Sequence, residues 1–348
     1  MEIRSSARQP ELAAWLRRTL VVRPRPLRMA LLTSETDKQA LEAFLMADPA
    51  VHIYAIGDLD PSCWGDCVWD GLREATAGSA QSAGAAAALQ AVALTYRGLA
   101  VPVLQVLADP RSPAAVGAAE RLLSLLGEAA AERLPAGAFE AHLNSGLEAV
   151  LRAAGFVVSA RPHLRMAMDA AGLAQLRADP PPAQSGGGEV QRLTPADADA
   201  CMDLCGTLER SWFEPQCLES GVYYGVYGDI VGGGGGGGGD TALLAMAGTH
   251  VAATEYRVAA LGNIATRATQ RRKGYGRVVT RALCLALADQ GIDTIGLNVT
   301  ADNAAAIRMY ESLHFHTVMD FVECDVEPAA AAAAAAGAAA GGGQKQSM

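Results

Sequence analysis

The stretch Arg271-Arg272-Lys273-Gly274-Tyr275-Gly276-Arg277 joins the end of an apolar, strand-like run to an apolar-periodic helix. A helix start presents backbone N–H groups carrying partial positive charge, and the two glycines let the main chain approach an anion with no Cβ in the way. Arg271, Arg272 and Lys273 stand just before the first glycine. Alone, Arg-x-x-Gly-x-Gly is a weak signal, because glycine also opens helices that merely pack closely on a strand.

Its surroundings sharpen the reading. Upstream lies Val258-Ala-Ala-Leu-Gly-Asn-Ile-Ala-Thr-Arg267, and downstream Leu297-Asn-Val-Thr-Ala-Asp-Asn303, leading to a helix with Tyr310 and to Phe315. In this order the segments resemble the acetyl-CoA-binding core of the GNAT (GCN5-related N-acetyltransferase) superfamily. One motif is a strand, then Arg-x-x-Gly-x-Gly and a helix, here Arg271, Gly274 and Gly276. The other is a strand, an Asn, and a helix carrying Tyr and ending near Gly-Phe, here Asn303, Tyr310 and Phe315. The family's Gly before the Phe is His314 here, so the left-handed residue that ends the helix must be a histidine. The resemblance spans residues 189–327.

The resemblance implies an α/β (α+β) fold of GNAT type: a mixed, mostly antiparallel central sheet flanked by helices. It implies acetyl-CoA as cosubstrate, cradled at the pyrophosphate by the N–H groups of Arg272, Lys273, Gly274, Tyr275 and Gly276. Arg271, Lys273 and Arg277 would add screening charge, Ile264 and Thr266 would pair with the pantetheine arm as an added strand would, and Asn303 would sit near the CoA chain. Tyr310 falls at the general-acid position, reaching the leaving sulfur. The general base is not set by the motif; His250 and Glu255 are weak candidates, and a water relay serves equally. The acceptor is then a primary amine of a small molecule or a protein. O-acylation shares the same machinery, and a non-catalytic acyl-CoA-binding regulatory module is the alternative.

Composition narrows the classes. The chain has 348 residues and a net charge of −9, which argues against coating nucleic acid. Against that background Arg267, Arg271, Arg272, Lys273, Arg277 and Arg281 form a local basic cluster suited to an anionic ligand. Seven cysteines in a chain without an apolar secretory run fit a reducing compartment. Cys63-x3-Cys67 and Cys201-x3-Cys205 lack zinc-ribbon spacing and histidine partners, so no metal is expected. No segment reaches the ~20 apolar residues of a membrane span, and no membrane partner is expected. The reading is cytoplasmic, with a chloroplast or mitochondrion as the alternative because seven arginines and only two acidic residues fall in the first thirty.

Along the chain, residues 1–29 read as a flexible or targeting segment and 171–188, with its Pro-Pro-Pro and Gly-Gly-Gly, as a linker. Residues 328–348 read as a disordered Ala/Gly tail. The polyglycine 232–239 lacks the Lys-Ser/Thr of a P-loop and reads as a disordered, lengthened hairpin loop. Residues 189–327 form the acetyltransferase domain: a strand at 189–193, a helix opened by Thr194-Pro195, paired strands around the polyglycine, a strand at 258–266 and a helix at 274–290. A strand at 294–300, a helix at 303–313 and a strand at 318–326 complete it. Residues 30–170 echo that order: strands at 90–97 and 101–108, a helix at 113–126, a strand at 139–143, a helix at 147–154, then Gly155-Phe156 and a strand to Met168. This order resembles a degenerate GNAT-like copy in tandem, with Pro110-Arg-Ser-Pro113 in place of the phosphate loop.

Overall fold

Alternating apolar runs broken by short periodic helices build one continuous sheet. The computed structural model describes residues 30–74, 88–109, 111–181, 188–207, 213–230 and 240–329. The segment 1–29, the polyglycine 232–239, Pro110 and the tail from residue 330 lie outside them.

The strands are β1 (Ala30–Ser34), β2 (Cys67–Glu74), β3 (Leu89–Tyr96), β4 (Val103–Leu107), β5 (Phe139–Leu143) and β6 (Phe156–Met168) in the first half. In the second half they are β7 (Val190–Arg192), β8 (Tyr224–Ile230), β9 (Asp240–Ala253), β10 (Val258–Thr266), β11 (Thr294–Thr300) and β12 (His316–Pro328). The helices are α1 (Lys38–Leu45), α2 (Ile53–Gly57), α3 (Pro61–Trp64), α4 (Pro113–Glu128), α5 (Ala130–Arg133), α6 (Glu148–Ala153) and α7 (Ala170–Ala178). They continue with α8 (Ala198–Gly206), α9 (Cys217–Ser220), α10 (Tyr275–Asp289) and α11 (Ala304–Glu311).

The sheet order is β1-β2-β3-β4-β5-β12-β6-β11-β10-β9-β8-β7. Read inward from either edge, four antiparallel strands lead to a parallel pair, β4 with β5 or β10 with β11. The sixth strand then comes from the other half: β12 pairs with β5, and β6 pairs with β11. At the centre β6 and β12 pair with each other from His316↔Ala167 to Pro328↔Phe156. The two halves, on either side of the stretch 171–188, exchange their last strands in space.

Burial explains the exchange. In the first half, Leu122, Leu123 and Leu126 of α4 pack on Leu104 and Ala141, and also on Val322, Cys324 and Val326 of β12. In the second, Val279, Leu283 and Leu287, one stripe of α10 at i, i+4, i+8, pack on Leu261, Ile295, Leu297 and on Met166 and Met168 of β6. Each core needs the other half's strand. On the opposite face α2 crosses from the first half to the second, where Ile53, Ala55 and Ile56 share a core with Val258 and Ala260. Contact there is close: a Cβ on Gly57 would lie 2.2 Å from Val251 Cγ1.

Helix α7 stands where the sequence reads as linker. The Asp169 carboxylate caps it by accepting from Gly172 N–H at 2.9 Å, and Leu173 and Leu176 are buried. Arg281 donates to the Leu176 and Asp179 carbonyls at its far end, so that arginine is spent on structure. His314 takes the left-handed conformation expected of it, with φ 69°, and Phe315 N–H closes on the Tyr310 carbonyl at 3.1 Å. Its Nε2 lies 2.8 Å from Asp179 Oδ2. A β-branched residue tolerates this backbone worst, so His314→Val should lose about 1–2 kcal/mol and His314→Gly no more than a few tenths. Urea unfolding of the two variants checks the ordering.

Candidate active site

The parallel pair of the second half is short. β10 and β11 pair only from Val258↔Thr294 to Leu261↔Leu297, although both strands run on. Beyond Leu261 they part, and the edge of Gly262–Thr266 facing β11 has no ladder partner. A β-bulge drives the parting: register with β9 shifts between Gly262 and Ala265, and Asn263 adopts φ 52°. Ile264 and Thr266 lie on this opened edge, which can accept an extended amide-bearing arm.

The loop Arg271–Gly274 closes the mouth of the gap. Arg272 and Gly274 are both left-handed, with φ 65° and 88°, a reversal that turns successive N–H groups to one side. Gly274 is the N-cap of α10 and supplies no side-chain cap, so the first-turn N–H groups are available to an anion. A Cβ on Gly276 would lie 3.2 Å from Thr266 Oγ1, so the helix start is pressed against the end of β10. Arg271, Arg272 and Lys273 are exposed around the loop, Lys273 Nζ held 2.7 Å from Gln270 Oε1. Arg277 donates to the Ser312 carbonyl at 3.3 Å and leans toward the end of α11. Arg267 is engaged elsewhere, with Asp203 at 2.6 Å.

The corresponding junction of the first half is built differently. β4 and β5 also pair over only three residues, Val103↔Glu140 to Gln105↔His142. Yet α4 begins with Ser112 as a side-chain cap, its Oγ accepting from Ala115 N–H at 3.3 Å, and Pro113 follows. That helix start is already closed.

Asn303 caps α11, its Oδ1 accepting from Ala306 N–H at 3.2 Å, at the end of β11. Tyr310, on the same helix, is 6% exposed and meets Phe315 edge-on at 5.9 Å between centroids. Burial, and secondarily the nearby Tyr54, push its hydroxyl well above the usual phenol pKa, so it keeps its proton. On the bulge, His250 lies over Gly262, where a Cβ would come within 2.0 Å of its ring. Packing against the sheet draws the imidazole pKa below its ordinary value, opposed by a hydrogen bond with Asn263, and the residue is otherwise exposed. Glu255 sits in the turn between β9 and β10, at the end of β10 away from the gap, and is not brought to it. Tyr223, beside the bulge, is fully buried core, its hydroxyl accepting from Asn263 Nδ2 at 3.0 Å.

Sequence reasoning missed what the first half brings. Arg165 on β6 is 3% exposed and donates from Nε to Asn298 Oδ1 at 3.1 Å, where β11 leaves β10. It donates as well to the Val51 carbonyl and stacks over Tyr54 and Phe321, 5.0 and 5.3 Å from the ring centroids. Burial pushes the Tyr54 phenol up to about 12, and its hydroxyl is held at the Asn298 backbone. The available signal was an arginine among the apolar residues of a strand, which a local reading treats as solvent-facing.

The family described as FR47-like protein matches residues 242–323. The [ribosomal protein bS18]-alanine N-acetyltransferase of Salmonella typhimurium is 42% identical over 77 residues, 22% of this chain and 50% of that protein. The enzyme of the same name from Escherichia coli K12 is 45% identical over 58 residues, 17% of this chain and 39% of that protein. The chain therefore spans half or less of the length of these curated relatives. Among solved structures, a Drosophila protein aligns over 87% of this chain and 99% of its own with a TM-score of 0.57. At 10% identity that likeness is one of fold, and it runs through both halves. No described helix is long and apolar enough to cross a membrane.

Proposed function

We propose that the protein is an acetyl-CoA-dependent N-acyltransferase of GNAT type acting on a primary amine of a small molecule or a protein, a reading supported by the FR47-like match at 242–323 and by the likeness to alanine N-acetyltransferases. The observation that carries this reading is the joining of two features at one gap: the uncapped, left-handed start of α10 and the unpaired edge of β10 beyond Leu261. The first takes the pyrophosphate and the second the pantetheine amides. The thioester then lies between β10 and β11, near Tyr310.

The neutral amine attacks the thioester carbon, and a backbone N–H of the β10 edge polarises the carbonyl oxygen. As the C–N bond forms the amine loses a proton to His250 or to water. As the C–S bond breaks, the sulfur takes a proton from Tyr310. The first half supplies walls rather than a second phosphate site, since its own helix start is capped by Ser112. Calorimetric titration of the full chain with acetyl-CoA, with thiol release followed against a panel of amines, tests the reading. Binding with amine-dependent release supports it; binding without release makes the protein a regulatory module, and no binding removes the site.

A base must be unprotonated to act. With its pKa drawn below 6.5, His250 stays competent to lower pH than an ordinary imidazole. At a fixed concentration of free amine, log kcat should rise with unit slope and level off below pH 6.5. His250→Gln should remove that inflection and slow turnover by about 10- to 100-fold; an unaltered profile would assign the proton to water.

A further inference from the structure

Away from this gap, the three central strands bring two imidazoles and two carboxylates together at the seam between the halves. Glu140 and His142 come from β5, His163 from β6 and Glu323 from β12, with Glu323 opposite His142 in one ladder and opposite Arg161 in the other. His142 Nε2 lies 2.7 Å from Glu140 Oε1 and 3.9 Å from Glu323 Oε2. His163 Nε2 lies 3.4 Å from the same Glu323 Oε2. Donor atoms from Glu140, His142 and Glu323 fall within 4.8 Å of one another. Tetrahedral N and O ligands at zinc distances stand about 3.3–3.6 Å apart, a spacing that the observed separations bracket.

The hydrogen atoms decide what fits between these groups. His163 Nδ1 is 3.0 Å from the Arg161 carbonyl oxygen, which can only accept, so the proton is on Nδ1. In the neutral ring Nε2 is then a lone pair facing a carboxylate oxygen, an acceptor against an acceptor. An N–H donated to a backbone carbonyl from the far nitrogen is also how metal-ligating imidazoles are oriented. His142 meets the cluster from the other side. Its Nδ1 is buried without a partner and lines a cavity of about 20 Å³ with Gln105 and Asn144, whose Oε1 and Oδ1 are likewise buried and unpartnered. Gln105 is the register partner of His142. His142 Nε2 meets Glu140 Oε1 at hydrogen-bond distance, 2.7 Å, and the proton between them is what a cation would displace. Arg161 occupies only the other oxygen of Glu323, at 3.0 Å from Oε1, so Oε2 is left to the rings.

We propose that Glu140, His142, His163 and Glu323 bind one divalent transition-metal cation, which clasps strands of both halves. Imidazole and carboxylate donors without thiolate suit zinc or cobalt and favour them over magnesium or calcium. Glu140, the most exposed of the four at 33% of its side chain, leaves an entry path and room for a water ligand. Sequence reading, which expected no metal, weighed only the cysteine pairs; these four ligands are scattered from residue 140 to 323 and meet through strand exchange.

The test uses the full chain, freed of metal by chelation and titrated with Co²⁺. One equivalent should bind with the visible absorption of a four- or five-coordinate cobalt centre, and Zn²⁺ should displace it. His163→Asn and Glu140→Gln, each checked for native circular dichroism, should weaken binding at least about 10-fold. Absence of stoichiometric cobalt binding in the wild type overturns the proposal, as does wild-type affinity in a folded variant. So does an NMR titration showing His163 as an imidazolium paired with Glu323 at neutral pH in the presence of zinc.

Discussion

Gly276→Asp is expected to abolish acetyl-CoA binding. The position offers little space, since a Cβ there meets Thr266 Oγ1 at 3.2 Å, and a carboxylate would point its charge at the incoming phosphates. Losing charge-assisted N–H contacts worth about 1.5–3 kcal/mol, with repulsion added, weakens affinity by 100-fold or more. Gly276→Ala separates the two causes. At 3.2 Å the neighbouring hydroxyl needs to yield only slightly, so alanine should lose no more than about 10-fold. Calorimetry of the full chain measures both. Tight binding retained by the aspartate variant would mean that no phosphate sits at this helix start.

Tyr310→Phe is expected to lower kcat by about 100-fold while leaving acetyl-CoA affinity unchanged. The ring that packs on Phe315 and the α10 core is kept, and only the hydroxyl is removed. Because burial holds that hydroxyl protonated well above neutral pH, it has a proton for the departing thiolate. Single-turnover thiol release, with affinity measured separately, gives the split between kcat and binding. A variant that turns over like the wild type would show that solvent, not Tyr310, protonates the sulfur.

What was legible in the chain follows from how local each signal is. Helix α10 was readable over 274–290 because Val279, Leu283 and Leu287 repeat at helical spacing and Gly291, at φ 88°, ends the run. The left-handed turn that opens α10 was readable because glycine spacing is itself the geometry. By contrast, β2 carries Asp70, 1% exposed and neutralised by Arg133 at 2.8 Å, a partner brought by the tertiary fold that no strand pattern reveals. Helix α7 was hidden by the prolines that follow it, although Asp169 marks its start. Arg165 and Tyr54 reach the gap only because β6 and α2 cross into the other half. The same crossing assembles Glu140, His142, His163 and Glu323.

The exchange of β6 and β12 also sets the order in which the chain can mature. The first half cannot close its core when its own residues have been synthesised, because Val322, Cys324 and Val326 belong to β12 of the other half. Until β12 joins, β5 and β6 keep open edges and α4 lacks part of its floor, a state prone to pairing with other chains. The contacts that finish the sheet are distant in sequence, from Phe139↔Val326 to Phe156↔Pro328, so closure is slow and cooperative. A chain that stops before residue 316 lacks β12 altogether, and its first half should fail to close a core.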